Sequence, residues 1–152
     1  MAYRTADARQ QLLDGLAEAI DEIALALASL GESYEQLDEQ KAEKLEQELF
    51  RPVQMAYGRA KRTHAEFARR HGLPARAFDP AAPGAPSQGV RGFLSRAVEA
   101  VGKADHALAT LQDSMLPIEV GDAGLRAGLQ DVRRLIAGLP EQARQLLRTL
   151  GR

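Results

Sequence analysis

Apolar residues recur along most of this chain at steps of three and four, the spacing that keeps side chains on one face of an α-helix. Leu13, Leu16, Ile20, Ile23, Leu27 and Leu30 form the first such stripe. Thr5 with Asp7 offers an N-cap and an acidic first turn, and Gly31 a C-cap, so a first helix is predicted over about 6–30. Ser33 and Gln36 have the spacing of a capping box and open a second helix at Tyr34. The stripe also continues in phase through Tyr34 and Leu37, which admits one alternative, a first helix running unbroken to Phe50. The second helix is expected over about 34–71, with Ala42, Leu45 and Leu49 inward in its first half and Val53, Tyr57, Ala60, His64, Phe67 and His71 in its second. The two halves are one residue out of phase. Pro52, which lacks a backbone N–H, stands at the slip, so a kink is expected there.

Residues 72–89 carry four prolines with several glycines and alanines, the composition of a semi-extended crossover. Beyond it, Val90, Leu94, Ala97, Val101, Ala104, Leu108, Leu111 and Met115 alternate steps of four and three, a third helix over about 90–115 that Pro117 ends. Asp122 can cap a fourth, over about 123–150, with Leu125, Leu129, Val132, Ile136, Leu139, Ala143, Leu146 and Leu150 inward. Gly138 and Pro140 interrupt it, predicting one kinked helix or two short ones. Ile118–Val120 is the sole strand-like run, and Val, Ile and Thr together number 14, too few for a sheet. The expectation is an all-α, single-domain chain over residues 1–152. Its architecture would be an antiparallel four-helix bundle, with the first and second helices, and the third and fourth, paired as hairpins.

Charge modifies this picture more than composition does. The whole chain has a net charge of -1, which excludes a surface built throughout for nucleic acid or anionic membrane. Residues 14–48, however, carry a net of -9 and residues 49–78 a net of +6, so the second helix is an acidic rod joined near Pro52 to a basic one. With no cysteine, disulfides and thiolate chemistry are excluded. The N-terminal residues lack a signal-peptide core and no run reaches the ~20 apolar residues of a membrane span, so a cytoplasmic protein without membrane contact is expected.

Catalytic signatures are sparse. No phosphate-binding glycine loop, zinc-protease helix or nucleophile elbow occurs, and none of the three histidines has the glutamate three residues before it that a di-iron bundle uses. The best polar candidates are Tyr57, His64 and His71 on the inward stripe of the second helix, with His106 on the third. Three imidazoles suit zinc with an open position, and this metal-binding enzyme is one alternative. Against it, His64 and His71 stand two turns apart, about 10.5 Å along the axis, too far to share one ion comfortably. No cofactor is therefore expected. The basic rod supplies Arg51, Arg59, Arg62, Arg69 and Arg70 as interface residues or, in a second alternative, as a grip on the phosphates of nucleic acid. The leading expectation is a non-catalytic protein–protein interaction module. Its partner would be another protein or itself, as a homodimer with two copies of the second helix antiparallel across a dyad near Pro52, acidic half on basic half.

Overall fold

The structure is a computed structural model that describes residues 2–85 and 88–150, with side chains from Thr5 onward; positions 86 and 87 of the predicted crossover, and 1, 151 and 152, lie outside the described residues. Seven α-helices occur among the described residues: α1 (Ala2–Glu35), α2 (Glu39–Leu45), α3 (Arg51–Arg70), α4 (Gly89–Asp113), α5 (Leu116–Val120), α6 (Ala123–Ile136) and α7 (Leu139–Leu150). A π-helical turn, Glu46–Phe50, joins α2 to α3, and the described residues contain no strand.

The first helix neither begins at its predicted cap nor ends at Gly31. Thr5 lies within α1, and the in-phase continuation of the stripe prevails at the other end, with Leu30 and Ser33 buried and Leu37 packed against the core. Gly31 does not adopt the left-handed conformation of a C-cap glycine. Ser33 caps nothing, because its hydroxyl donates instead to the Ser29 carbonyl one turn back, at 3.1 Å. The reversal falls at residues 36–38, where Asp38 caps α2 by accepting from the Lys41 N–H at 2.9 Å.

The kink expected at Pro52 is absent. The one-residue slip in the apolar stripe is taken up by the π turn, whose wider loop inserts the extra residue and brings the stripe back into register. Pro52 then occupies the first turn of α3, where a missing N–H and a fixed φ are tolerated. The run from Glu39 to Arg70 is thus continuous, about 48 Å long at ~1.5 Å per residue. Gly72, at φ +65°, ends it: the Leu73 N–H bonds to the Ala68 carbonyl at 2.8 Å and the Gly72 N–H to that of Arg69 at 3.4 Å, a Schellman closure.

Side-chain pairings fix the helix directions. Gly15 meets Leu111, while Glu22 and Glu99 share one groove wall, so α1 and α4 are antiparallel. Arg59 binds Asp131 and Arg70 binds Asp122, which makes α3 and α6 antiparallel. Asp105 with Arg133, and Arg91 with the Leu147 carbonyl, do the same for α4 against α6 and α7. The most extensive packing therefore joins the two predicted hairpins, α1 on α4 and α3 on α6, with α1 also on α3. Since α3 and α4 run the same way, the chain between them must travel back the length of the bundle. Residues 71–88 can span up to about 59 Å when extended, enough for the return.

Most positions of the predicted stripes are buried, with Leu27, Tyr57, Val90 and Leu150 only partly so, and the core also includes residues those stripes had not included, Leu12, Ala19, Ala56, Phe93 and Ala100 among them. At its margin, Met115 is exposed and does not extend the α4 stripe inward. Of the two forms expected for the fourth helix, the interrupted one occurs, with α6 and α7 separated at Ala137–Gly138. Residues 118–120 belong to the one-turn helix α5.

Candidate functional site

The cations of α3 fall into two sets. Arg59 donates from Nε to Asp131 Oδ2 at 3.1 Å and from Nη1 to Thr63 Oγ1 at 3.1 Å. Arg70 grips Asp122 with two bonds, Nη2 to Oδ1 at 2.7 Å and Nε to Oδ2 at 3.0 Å. Lys61 lies over the Tyr57 ring, 4.1 Å from its centre. These groups brace α3 internally. Arg51, Arg62 and Arg69 are exposed and make no ion pair among the described residues. Their spacings of eleven and seven residues place all three on one outward stripe. Met55, 56% exposed, lies on the same side, as does Gly58, where an added Cβ would meet nothing within 4 Å. The stripe continues onto α2 through Gln47 and Glu43, both exposed, and Glu43 also has no cation partner among the described residues. One straight face thus runs from the free carboxylate of Glu43 to the free guanidinium groups of Arg51, Arg62 and Arg69, with Met55 and Gly58 among them.

The three histidines do not converge. His71, half-buried, places Nε2 2.8 Å from Asp122 Oδ2 and tilts against the Phe67 ring. His64 is buried, with its ring edge-on to Phe78 of the crossover at 5.0 Å between centres. His106 is exposed on α4. Tyr57 is half-buried beneath Lys61, its hydroxyl pushed above its ordinary value by burial and by Asp21 and Asp79. Among the described residues no three His, Cys, Asp or Glu side chains are grouped so as to hold a metal ion.

Asp122 is the best-connected carboxylate. It caps α6 by accepting from the Leu125 N–H at 2.8 Å and also receives Arg70 and His71 from α3. Burial works to raise its pKa, but the bonds from Arg70, the Leu125 amide and His71 prevail and hold it down to about 2. With its oxygens taken by Arg70, His71 and the Leu125 amide, Asp122 ties the end of α3 to the start of α6. Arg133, bound to Asp105 at 2.8 Å and to Gln112 at 2.7 Å, braces α6 to α4 in the same way. Asp122 is legible in the sequence as a cap. Its cations, and the Asp131 and Asp105 partners, depend on helix pairing that no local pattern encodes.

The crossover is strapped to the α1/α3 side. Arg76 donates to both carboxylate oxygens of Asp21, at 3.0 and 2.9 Å, and covers the Phe78 ring, which closes over His64. Burial lowers the His64 pKa below 6.5; Arg76 lowers it further, and Asp14 opposes. Because the unfolded chain binds this proton more readily than the folded one, stability is complete above about pH 6.5 and declines as pH falls below it. The melting temperature is expected to fall between about pH 7 and 5.5, and His64→Phe is expected to flatten that slope. An unchanged slope in the variant would place the proton elsewhere.

Among the described residues, no helix is long and apolar enough to cross a membrane. The chain matches no protein-family model, and no curated protein or solved structure shows detectable similarity to it.

Proposed function

We propose that the protein is a cytoplasmic, non-catalytic four-helix bundle that acts by binding protein, and that its first partner is a second copy of itself docked along the α2–α3 face. One observation carries the reading. The charges turned outward on that face have no ion-pair partner among the described residues, while Arg59 and Arg70 are neutralised by Asp131 and Asp122. Two such faces laid antiparallel about a dyad near Pro52 bring Glu43 of each copy opposite Arg62 of the other, with Arg51 and Met55 nearest the centre and Gly58 beyond them. Exposed Met55 supplies apolar area there, and Gly58 permits close approach. The absence of a kink supports this arrangement, since a straight rod can meet its own copy along its length.

The charge pairs set register and orientation more than affinity, so reversing them is a direct test. Arg62→Glu combined with Arg69→Glu is expected to weaken self-association about tenfold or more, because each replacement acts twice across a dyad. Adding Glu43→Arg to Arg62→Glu is expected to restore part of the loss. Masses that do not differ between wild type and these variants would remove the dyad. The same free arginines would attract a phosphate backbone, but the nearby aromatics face inward, with Phe67 buried and Tyr57 beneath Lys61, leaving no platform for bases.

A further inference from the structure

The faces of α1 and α4 leave an open groove of about 850 Å³ between them. Its floor is made of small and apolar positions, Gly15, Gly102, Ala107 and Leu111. Gly102 leaves open space, with nothing within 4 Å of where a Cβ would stand, whereas Gly15 is filled by Leu111, whose Cδ2 would be 2.7 Å from an added Cβ. The α4 side runs from Glu99 to Leu111, about 18 Å at ~1.5 Å per residue, or roughly three turns of a docked helix. The rim is acidic. Glu18 and Glu22 have no cation partner among the described residues, and the one lysine on the rim, Lys103, is already taken by Glu99 at 3.4 Å.

The chain itself shows what this rim accepts. Asp21, one residue from Glu22 on the same rim, is held by Arg76 of the crossover through both carboxylate oxygens, with the guanidinium backed by an aromatic ring. Glu18 and Glu22, three residues before and one after, offer the same chemistry with no occupant.

We infer that the α1/α4 groove is a docking site for a basic amphipathic helix of a partner protein, its apolar face on the Gly102–Leu111 floor and its Lys or Arg residues on Glu18 and Glu22. Charge complementarity selects the occupant: an apolar floor alone would admit any amphipathic helix, but an acidic helix would place its carboxylates against two unpaired ones. The site is independent of the α2–α3 face and stands or falls separately from dimerisation.

The probe is an 18-residue helical peptide of leucine and lysine, one face of each, labelled with fluorescein and followed by anisotropy against the full chain. Saturable binding is expected. Glu18→Lys with Glu22→Lys is expected to weaken it at least tenfold, and Glu35→Lys with Glu39→Lys, an equal charge change at the α1–α2 turn, less than twofold. Gly102→Phe, which fills the floor without changing charge, is expected to weaken it to a similar degree as the rim reversal. Absence of saturation, an equal loss from both charge reversals, or full binding by Gly102→Phe would each overturn the assignment. Self-association of wild type and of the Glu18/Glu22 variant is expected to be the same, which separates this site from the dimer face.

Discussion

Replacing Gly128 with valine is expected to lower the melting temperature by about 6–12 °C, corresponding to a loss of about 3 kcal/mol. Gly128 is buried where α6 crosses α3, and any Cβ placed there would stand 2.9 Å from the Thr63 Cβ, with Thr63 Oγ1 and Cγ2 closer still. Rotating the threonine exchanges its methyl and hydroxyl but leaves its Cβ in place, so relief requires the two helices to separate. Separation also disturbs Thr63 itself, whose hydroxyl donates to the Arg59 carbonyl at 2.8 Å and accepts from Arg59 Nη1. The Arg59–Asp131 pair would lengthen with it. Valine has the better helix propensity, which offsets less than about 1 kcal/mol. Gly102→Val provides the control: it lies on a helix face with open space, so propensity acts there without a clash and the melting temperature is expected to hold or rise. Equal shifts at the two positions in thermal denaturation would mean that α3 and α6 do not meet at Thr63.

Asp122→Ala is expected to cost about 2–4 kcal/mol, because one carboxylate supplies the α6 cap and the acceptor for both Arg70 and His71. Its acid dependence follows from its pKa. The carboxyl is held at about 2 in the folded chain against 3.8 ordinarily. A depressed acid contributes stability above its ordinary value and loses it as pH falls toward the folded one, here from about pH 4 to 2, a contribution on the order of 2 kcal/mol. Asp122→Asn keeps a capping oxygen and removes the charge, so it isolates this part. Wild type is expected to be the more stable at pH 7, with the difference closing between pH 4 and 2 in chemical denaturation. A difference that persists unchanged at pH 2 would show that Arg70 and His71 do not depend on the ionised carboxylate.

The legible part of the fold was what a single helix needs in order to choose its buried face. Leu16, Ile20, Leu94, Leu108, Leu129 and Leu146 were predicted inward and are buried. Ends and junctions were harder, because caps compete with stripes. Ser33 had capping-box spacing, yet continuing the buried face through Leu30 and Ser33 outweighed it, and the turn moved to Asp38. The slip at Leu49–Val53 marks a π turn and not a proline kink: an extra residue in a stripe can be absorbed by such a turn, and a proline just after it need not bend the helix. For the candidate surface, the segregation of charge was visible, but which arginines are spent internally was not. Arg59 and Arg70 differ from Arg62 and Arg69 only in facing Asp131 and Asp122, which lie 72 and 52 residues further along the chain. Met55 was a missed signal, an apolar residue between the inward positions Val53 and Ala56 and therefore turned outward.

The central claim is that the α2–α3 face joins two copies. Light scattering on size-exclusion eluate, at about 50 mM and about 500 mM salt, tests it most directly, since salt at the higher level screens surface charges beyond roughly 4 Å. The expected result is a mass twice the 16.5 kDa of one chain at low salt and a smaller dimer fraction at high salt. A mass of 16.5 kDa at both salts and at every protein concentration tried would contradict it.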